Sequence, residues 1–258
     1  MGHDTWADVA DQFVGDYYGS VQGRVRAHVI GKHLREHLAP APIEVVDVGG
    51  GAGHQAIPLA RDGYRVTVVE PSMGMLEQAE ERLAAESPEV RSRVTLVNAT
   101  GEDAVAATGG TRFSAVLCHA VVQYLDDPGP LLGALAALAD DGALVSVVAK
   151  NQLTLPIPHA LEGRWAEALA AFEDDRMVCG LGLPTRADTV AGLSDQLAEV
   201  GVHPSAWYGV GFFTDWWNSR LPAAEASDDL LAAELEASRR DPYRQLGRMF
   251  HLVGRRQR

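Results

Sequence analysis

Residues 45–53 read Val45-Val46-Asp47-Val48-Gly49-Gly50-Gly51-Ala52-Gly53. An apolar, β-branched run leads directly into four glycines, and a helical pattern follows over 55–61. Glycine takes φ above zero without strain and carries no Cβ. A chain with this signature turns sharply at the end of a strand and leaves its backbone open to a ligand. In a strand–turn–helix context it points to an α/β fold whose crevice lies at the carboxyl edge of a parallel sheet.

The rest of the chain supports that class. Strand patterns at 43–48, 65–70, 93–98, 113–119 and 143–149 alternate with helical patterns at 55–61, 73–86 and 130–139. Strands alternating with helices imply right-handed crossovers and a parallel sheet. Ahead of them, residues 4–38 read as helix: Trp6, Val9, Ala10, Phe13 and Tyr17 recur at three- and four-residue steps, and Val25, Val29 and Leu34 follow. Residues 150–185 break the rhythm with Pro156, Pro158, Gly163, Gly180, Gly182 and Pro184, and hold one convincing short helix near 165–172. They read as an insertion over the sheet edge that acts as a lid. A helix at 189–200, a strand at 204–213, a helix at 228–239 and a strand at 248–253 complete the chain. The expected organisation is one domain, 1–258. It has a helical cap (1–40), a ligand-binding core (43–149), the insertion (150–185) and a C-terminal part of the sheet (186–258).

Composition narrows the function classes. The chain of 258 residues is 47% hydrophobic, enough for a large core. It has no apolar stretch of the ~18 residues that a membrane span needs. Its first twenty residues lack Lys and Arg and so do not read as a secretory leader. Two cysteines, Cys118 and Cys179, make no disulfide framework. These features predict a cytoplasmic protein away from membranes. The formal net charge of −13 disfavours non-specific nucleic-acid binding. Against it stands a basic C-terminal run, Arg239, Arg240, Arg244, Arg248, Arg255, Arg256 and Arg258, readable as a local basic face or as a solvated helix and tail.

Glu70 ends the second strand, about 20 residues past the loop, where a carboxylate can accept hydrogen bonds from both hydroxyls of a ribose. The glycines separate two ligand classes. Dinucleotide folds use G-x-G-x-x-G, whereas this loop reads Asp47-x-Gly49-x-Gly51-x-Gly53 and resembles motif I of the class I S-adenosylmethionine-dependent methyltransferases. An NAD-dependent oxidoreductase remains the alternative. The resemblance implies a Rossmann-like, seven-stranded sheet with helices on both faces, whose last two strands form an antiparallel pair. It implies S-adenosyl-L-methionine as cofactor, its methionine part against the glycine backbone. The turn Gly101-Glu102-Asp103 would flank the adenine, although Asp103 also suits a helix N-cap.

Cys118-His119-Ala120-Val121 closes the fourth strand, beside the reactive methyl group of such enzymes. The N/D-P-P-Y/F motif of amine methylation is absent, and so is a Pro-Cys pair for attack on pyrimidine carbon 5. His119 is open to three roles, as general base, cofactor contact or strand-end histidine, with the contact preferred. His33 and His37 have a metal-ligand spacing but no third ligand, so a solvated helix face is expected and no metal. Trp207, Trp216 and Trp217 suit either stacking on a planar substrate or core packing.

A closer resemblance covers most of the chain. It rests on Asp8-Val9-Ala10, Phe13, Tyr18-Gly19, Gly23 and Arg26. It continues through the glycine loop, Cys118-His119-Ala120-Val121 and Asp127-Pro128. Near the C-terminus come Val210-Gly211, Phe213, Asp215, Asp241-Pro242-Tyr243, Leu246-Gly247-Arg248 and His251. Together these resemble the bacterial tRNA 5-carboxymethoxyuridine methyltransferases, CmoM, which form a methyl ester on a wobble-uridine carboxylate. That resemblance places Arg26, Gly49, Gly50, Glu70, Gly101, Glu102 and His119 around the cofactor. Arg26 would grip its carboxylate, or else form a structural salt bridge. Residues 150–185 depart from the basic run associated with the tRNA-acting relatives, since they carry Glu173-Asp174-Asp175. A small carboxylic acid is the alternative acceptor.

Overall fold

The computed structural model describes residues 19–179, 182–216 and 226–257. The expected helix over 4–18, Trp217, Gly180 and Arg258 lie outside them. Helix α1 (Val21–His37) starts where the Ser20 hydroxyl accepts the Gly23 amide at 3.0 Å, a side-chain N-cap. Then follow β1 (Glu44–Val48), α2 (Ala56–Arg61), β2 (Arg65–Glu70), α3 (Met73–Ala84), α4 (Pro88–Arg91), β3 (Val94–Asn98), α5 (Ala104–Ala107), β4 (Phe113–His119), α6 (Gly129–Leu138) and β5 (Ala139–Lys150). The insertion holds α7 (Pro156–Leu161), α8 (Trp165–Ala170), β6 (Arg176–Val178) and β7 (Pro184–Arg186). The chain ends with α9 (Val190–Glu199), β8 (Val202–Val210), α10 (Asp228–Ala237) and β9 (Met249–Arg256).

The main sheet has seven strands in the order β3-β2-β1-β4-β5-β9-β8. β1 to β5 are parallel, and β9 runs antiparallel between β5 and β8. This is the Rossmann-like methyltransferase arrangement anticipated above. The apolar runs follow from coverage on both faces. Along β1 and β4, Val46, Val48, Val116 and Cys118 point into one core with α6 and α9, whereas Val45, Ala115 and Leu117 point into the other with α1 and α2. Strand order reverses between β1 and β4, and such a switch point opens a crevice at the carboxyl ends.

Some expectations change. The insertion contains two short helices and a β6–β7 hairpin where one helix was expected. Prolines at 156 and 158 fit a first helical turn and so do not prevent α7. The strand expected over 204–213 stops at Val210, because Gly211 turns with φ +73°. His33 is not on a solvated face: it is fully buried, stacked on Tyr208, with Nε2 2.8 Å from Ser238 Oγ. The C-terminal arginines do not share one face. Arg239 pairs with Glu36 and Arg240 with Glu236, Arg244 pairs with Asp241 and lies over Trp207, and Arg248 faces inward.

Candidate active site

A cavity of about 700 Å³ opens at the carboxyl ends of β1, β2, β4 and β5, within the usual size range of ligand sites. Arg26, Gly49, Gly50, Gly51, Glu70, Gly101, Glu102 and His119 all line it. Gly53 does not; with φ +73° it turns the loop toward α2. Residues of α1 form one wall, and Lys150 and Cys179 border another.

The loop is shaped by what lies beneath it. Gly49 has φ +69°, and a Cβ there would overlap Val121. A Cβ on Gly50 would stand 2.8 Å from Asp47 Oδ2. Asp47 is almost fully buried, and burial first and the Glu70 charge second push its carboxyl up to about 7. Glu70 is 6% exposed; its two oxygens accept the amides of Gly51 and Ser72, each at 3.0 Å. The sequence alone suggested only a ribose role for Glu70, and its grip on the loop backbone is a tertiary finding. Asp103 makes no side-chain cap; Thr100 Oγ1 donates to it at 3.0 Å.

His119 sits at the cavity side of a buried polar chain. Its Nε2 lies 2.8 Å from Ser146 Oγ, which lies 2.7 Å from His251 Nε2. A hydroxyl has one proton, so Ser146 can donate to only one of the two imidazoles, and at least one ring carries its proton on Nε2. Burial lowers His119 to about 3, so it is neutral at physiological pH. Ala120 follows with φ +61°, a left-handed conformation that costs a non-glycine residue about 1–2 kcal/mol.

Opposite Glu70 the cavity is cationic. Arg26 donates through Nε to Asp215 at 3.0 Å and pairs through Nη2 with the second oxygen. Asp215 is set by its own loop: the buried Glu234 accepts the amides of Phe212, Phe213 and Thr214 at 2.7–3.0 Å. Lys150 and Arg248 complete this end. Sequence reading missed both as site residues; a lysine closing an otherwise apolar strand was the available signal for Lys150. Trp216 donates to Leu246 O at 2.8 Å and lies near Arg248, and Trp207 packs against the core. Among the described residues no group of His, Cys, Asp and Glu could hold a metal ion. No helix among them is long and apolar enough to cross a membrane.

A model described as a methyltransferase domain matches residues 46–145. The tRNA 5-carboxymethoxyuridine methyltransferase of Escherichia coli K12 is 27% identical over 252 residues, covering 96% of this chain and 95% of that protein. The ubiquinone biosynthesis O-methyltransferase of Methylocella silvestris is 30% identical over 132 residues, 50% of this chain and 49% of that one. Among solved structures, the CcbJ methyltransferase of Streptomyces caelestis superposes with a TM-score of 0.66 at 17% identity, covering 99% and 97% of the two chains. Magnesium protoporphyrin IX methyltransferase of Synechocystis, solved with S-adenosylhomocysteine, gives 0.66 at 14% identity over 98% and 97%. The chain is a class I S-adenosylmethionine-dependent methyltransferase that resembles the tRNA 5-carboxymethoxyuridine methyltransferases along nearly its whole length.

Proposed function

We propose that this enzyme methylates a carboxylate oxygen, and that the acceptor is 5-carboxymethoxyuridine at the wobble position of tRNA. The observation that carries this reading is the end-to-end similarity to the E. coli tRNA enzyme, which extends through the insertion and the C-terminal strands. The cationic end of the cavity supports a negatively charged acceptor.

The residues lining the cavity suit the cofactor. Gly49, Gly50 and Gly51 offer bare backbone, and Gly53 turns the chain to present it. Glu70 would take the ribose hydroxyls, Gly101 and Glu102 the adenine, and His119 and Arg26 the methionine part. When bound, the cofactor supplies a methyl group activated on a sulfonium. A carboxylate is ionised at neutral pH, so no side chain has to remove a proton. The neutral His119 is therefore assigned a contact role. The chain's contribution is alignment and exclusion of water. Residues 1–40 and 150–185 are assigned the roles of cap and lid around a single catalytic unit.

A small carboxylic acid in the cytoplasm is the competing acceptor, favoured by the exposed Glu173, Asp174 and Asp175 and the net charge of −13. Transfer of labelled methyl into tRNA carrying 5-carboxymethoxyuridine, run beside a panel of small acids, decides between them. Base-labile label in the tRNA supports the proposal. Label only in a small acid overturns it.

A further inference from the structure

The cationic end of the cavity holds more positive charge than the cofactor contacts account for. Lys150 closes β5, the neighbour of β4 on the side away from β1, two residues beyond the Val148 that pairs with His119. It is 6% exposed, and Nζ donates to Thr185 Oγ1 at 2.6 Å. Thr185, on β7, gives its own proton to Met177 O at 3.1 Å, so its oxygen is left to receive the lysine. Arg248 enters from the residue before β9, its guanidinium 5.8 Å from the Trp216 ring centre. With Arg26, three cations line this end of the cavity together with Asp215, whose oxygens are taken by Arg26. Among the described residues no carboxylate pairs with Lys150 or Arg248.

That arrangement is unfavourable without a ligand. Burial first, then Arg248 and Arg26, lower Lys150 to about 8; burial first, then Arg26, lower Arg248, against the opposing charge of Asp215. Lys150 remains largely charged at neutral pH, and a guanidinium is not deprotonated in proteins. Three cations gathered around a single carboxylate are stabilised by an incoming anion. Resting on the carboxylate reading above, we infer that Lys150 and Arg248 form the subsite that binds the acceptor's carboxylate and turns one of its oxygens toward the methyl group. The position fits: the nucleoside contacts assigned to Glu70 and Gly101 lie past β2 and β3, and Lys150 stands across the switch point from them.

In the transfer the acceptor oxygen forms its bond to the methyl carbon as the carbon–sulfur bond breaks, and that electron pair stays on sulfur. An anion and a sulfonium become a neutral ester and a neutral thioether, and no proton moves. The ester lacks the charge that Lys150 and Arg248 hold. The same cations therefore retain the substrate and release the product.

The test uses Lys150→Gln, Arg248→Gln and Arg248→Lys in the full chain, with folding checked by melting temperature. The first two should raise KM for carboxymethoxyuridine tRNA by at least about tenfold, with S-adenosylhomocysteine affinity within about twofold; Arg248→Lys should recover most of the loss. In parallel, calorimetry on protein saturated with S-adenosylhomocysteine compares phenoxyacetate with its neutral amide. Wild type should prefer the acid, and the Gln variants should not. Unchanged KM, or lost cofactor affinity with acceptor KM intact, overturns the subsite. If wild type labels no tRNA, the tRNA reading fails and the phenoxyacetate arm decides: loss of the acid preference in the variants supports the subsite, and equal behaviour overturns it.

Discussion

The two ends of the cavity are built by opposite means. At the end formed by β1, β2 and the turn after β3, backbone does the work: three glycines expose it, Glu70 holds it from below, and Asp47 lies close beneath Gly50. At the other end side chains do the work: Arg26, Lys150, Asp215 and Arg248 come from four separate segments, and Arg26 and Asp215 are 189 positions apart. One end is negative and short-range in sequence; the other is positive and long-range. The difference suits a cofactor held by its nucleoside at one end and an anionic acceptor at the other.

The largest expected effect is at the backbone end. Gly49→Ala adds a Cβ that overlaps Val121 at φ +69°. S-adenosylhomocysteine affinity should fall more than about a hundredfold, and stability by about 1–3 kcal/mol. Normal binding in calorimetry would remove the loop from the cofactor end. Glu70→Ala comes next. It frees the Gly51 and Ser72 amides, and cofactor affinity should drop about ten- to a hundredfold. If acceptor KM moved instead, the two ends would have to be exchanged.

The buried histidines make a smaller, pH-linked contribution. Burial holds His33, His54 and His119 at about 3 and lowers His251 as well, all below the ordinary value of 6.5. Unfolding therefore takes up protons below pH 6.5, so stability present at neutral pH is lost as pH falls. Asp47 acts in the other direction, since its raised pKa contributes most below about 4 and least above about 7. With several histidines against one acid, the melting temperature should fall between pH 7 and pH 5. A rise would show that Asp47 dominates. At pH 7, Ser146→Ala should lower melting by roughly 2–4 °C, because two buried imidazoles lose their partner. The smallest effect is Ala120→Gly: relief of the φ +61° conformation offsets the added freedom of the unfolded chain, for a net change within about 1 kcal/mol in denaturant titration.

Legibility followed the same division. The central parallel strands were readable because burial on both faces makes them apolar runs, and β2 and β4 fall at their expected limits. The insertion was harder, since short helices and a hairpin of two three-residue strands carry too few residues for a period to show. Trp207 and Trp216 had two readings open, and their packing and hydrogen bonds are tertiary facts.

The sequence by itself determined the α/β class, the glycine turn and the acid that follows it, because each depends on φ, pattern and spacing within one βαβ unit. Only the tertiary structure decided that Lys150 and Arg248 meet in the cavity, that Asp215 holds Arg26, and that His119 joins Ser146 and His251. Those contacts depend on strand order, and β9 slides between β5 and β8 to bring residues 248–251 beside residues 146–150. No local periodicity encodes that adjacency.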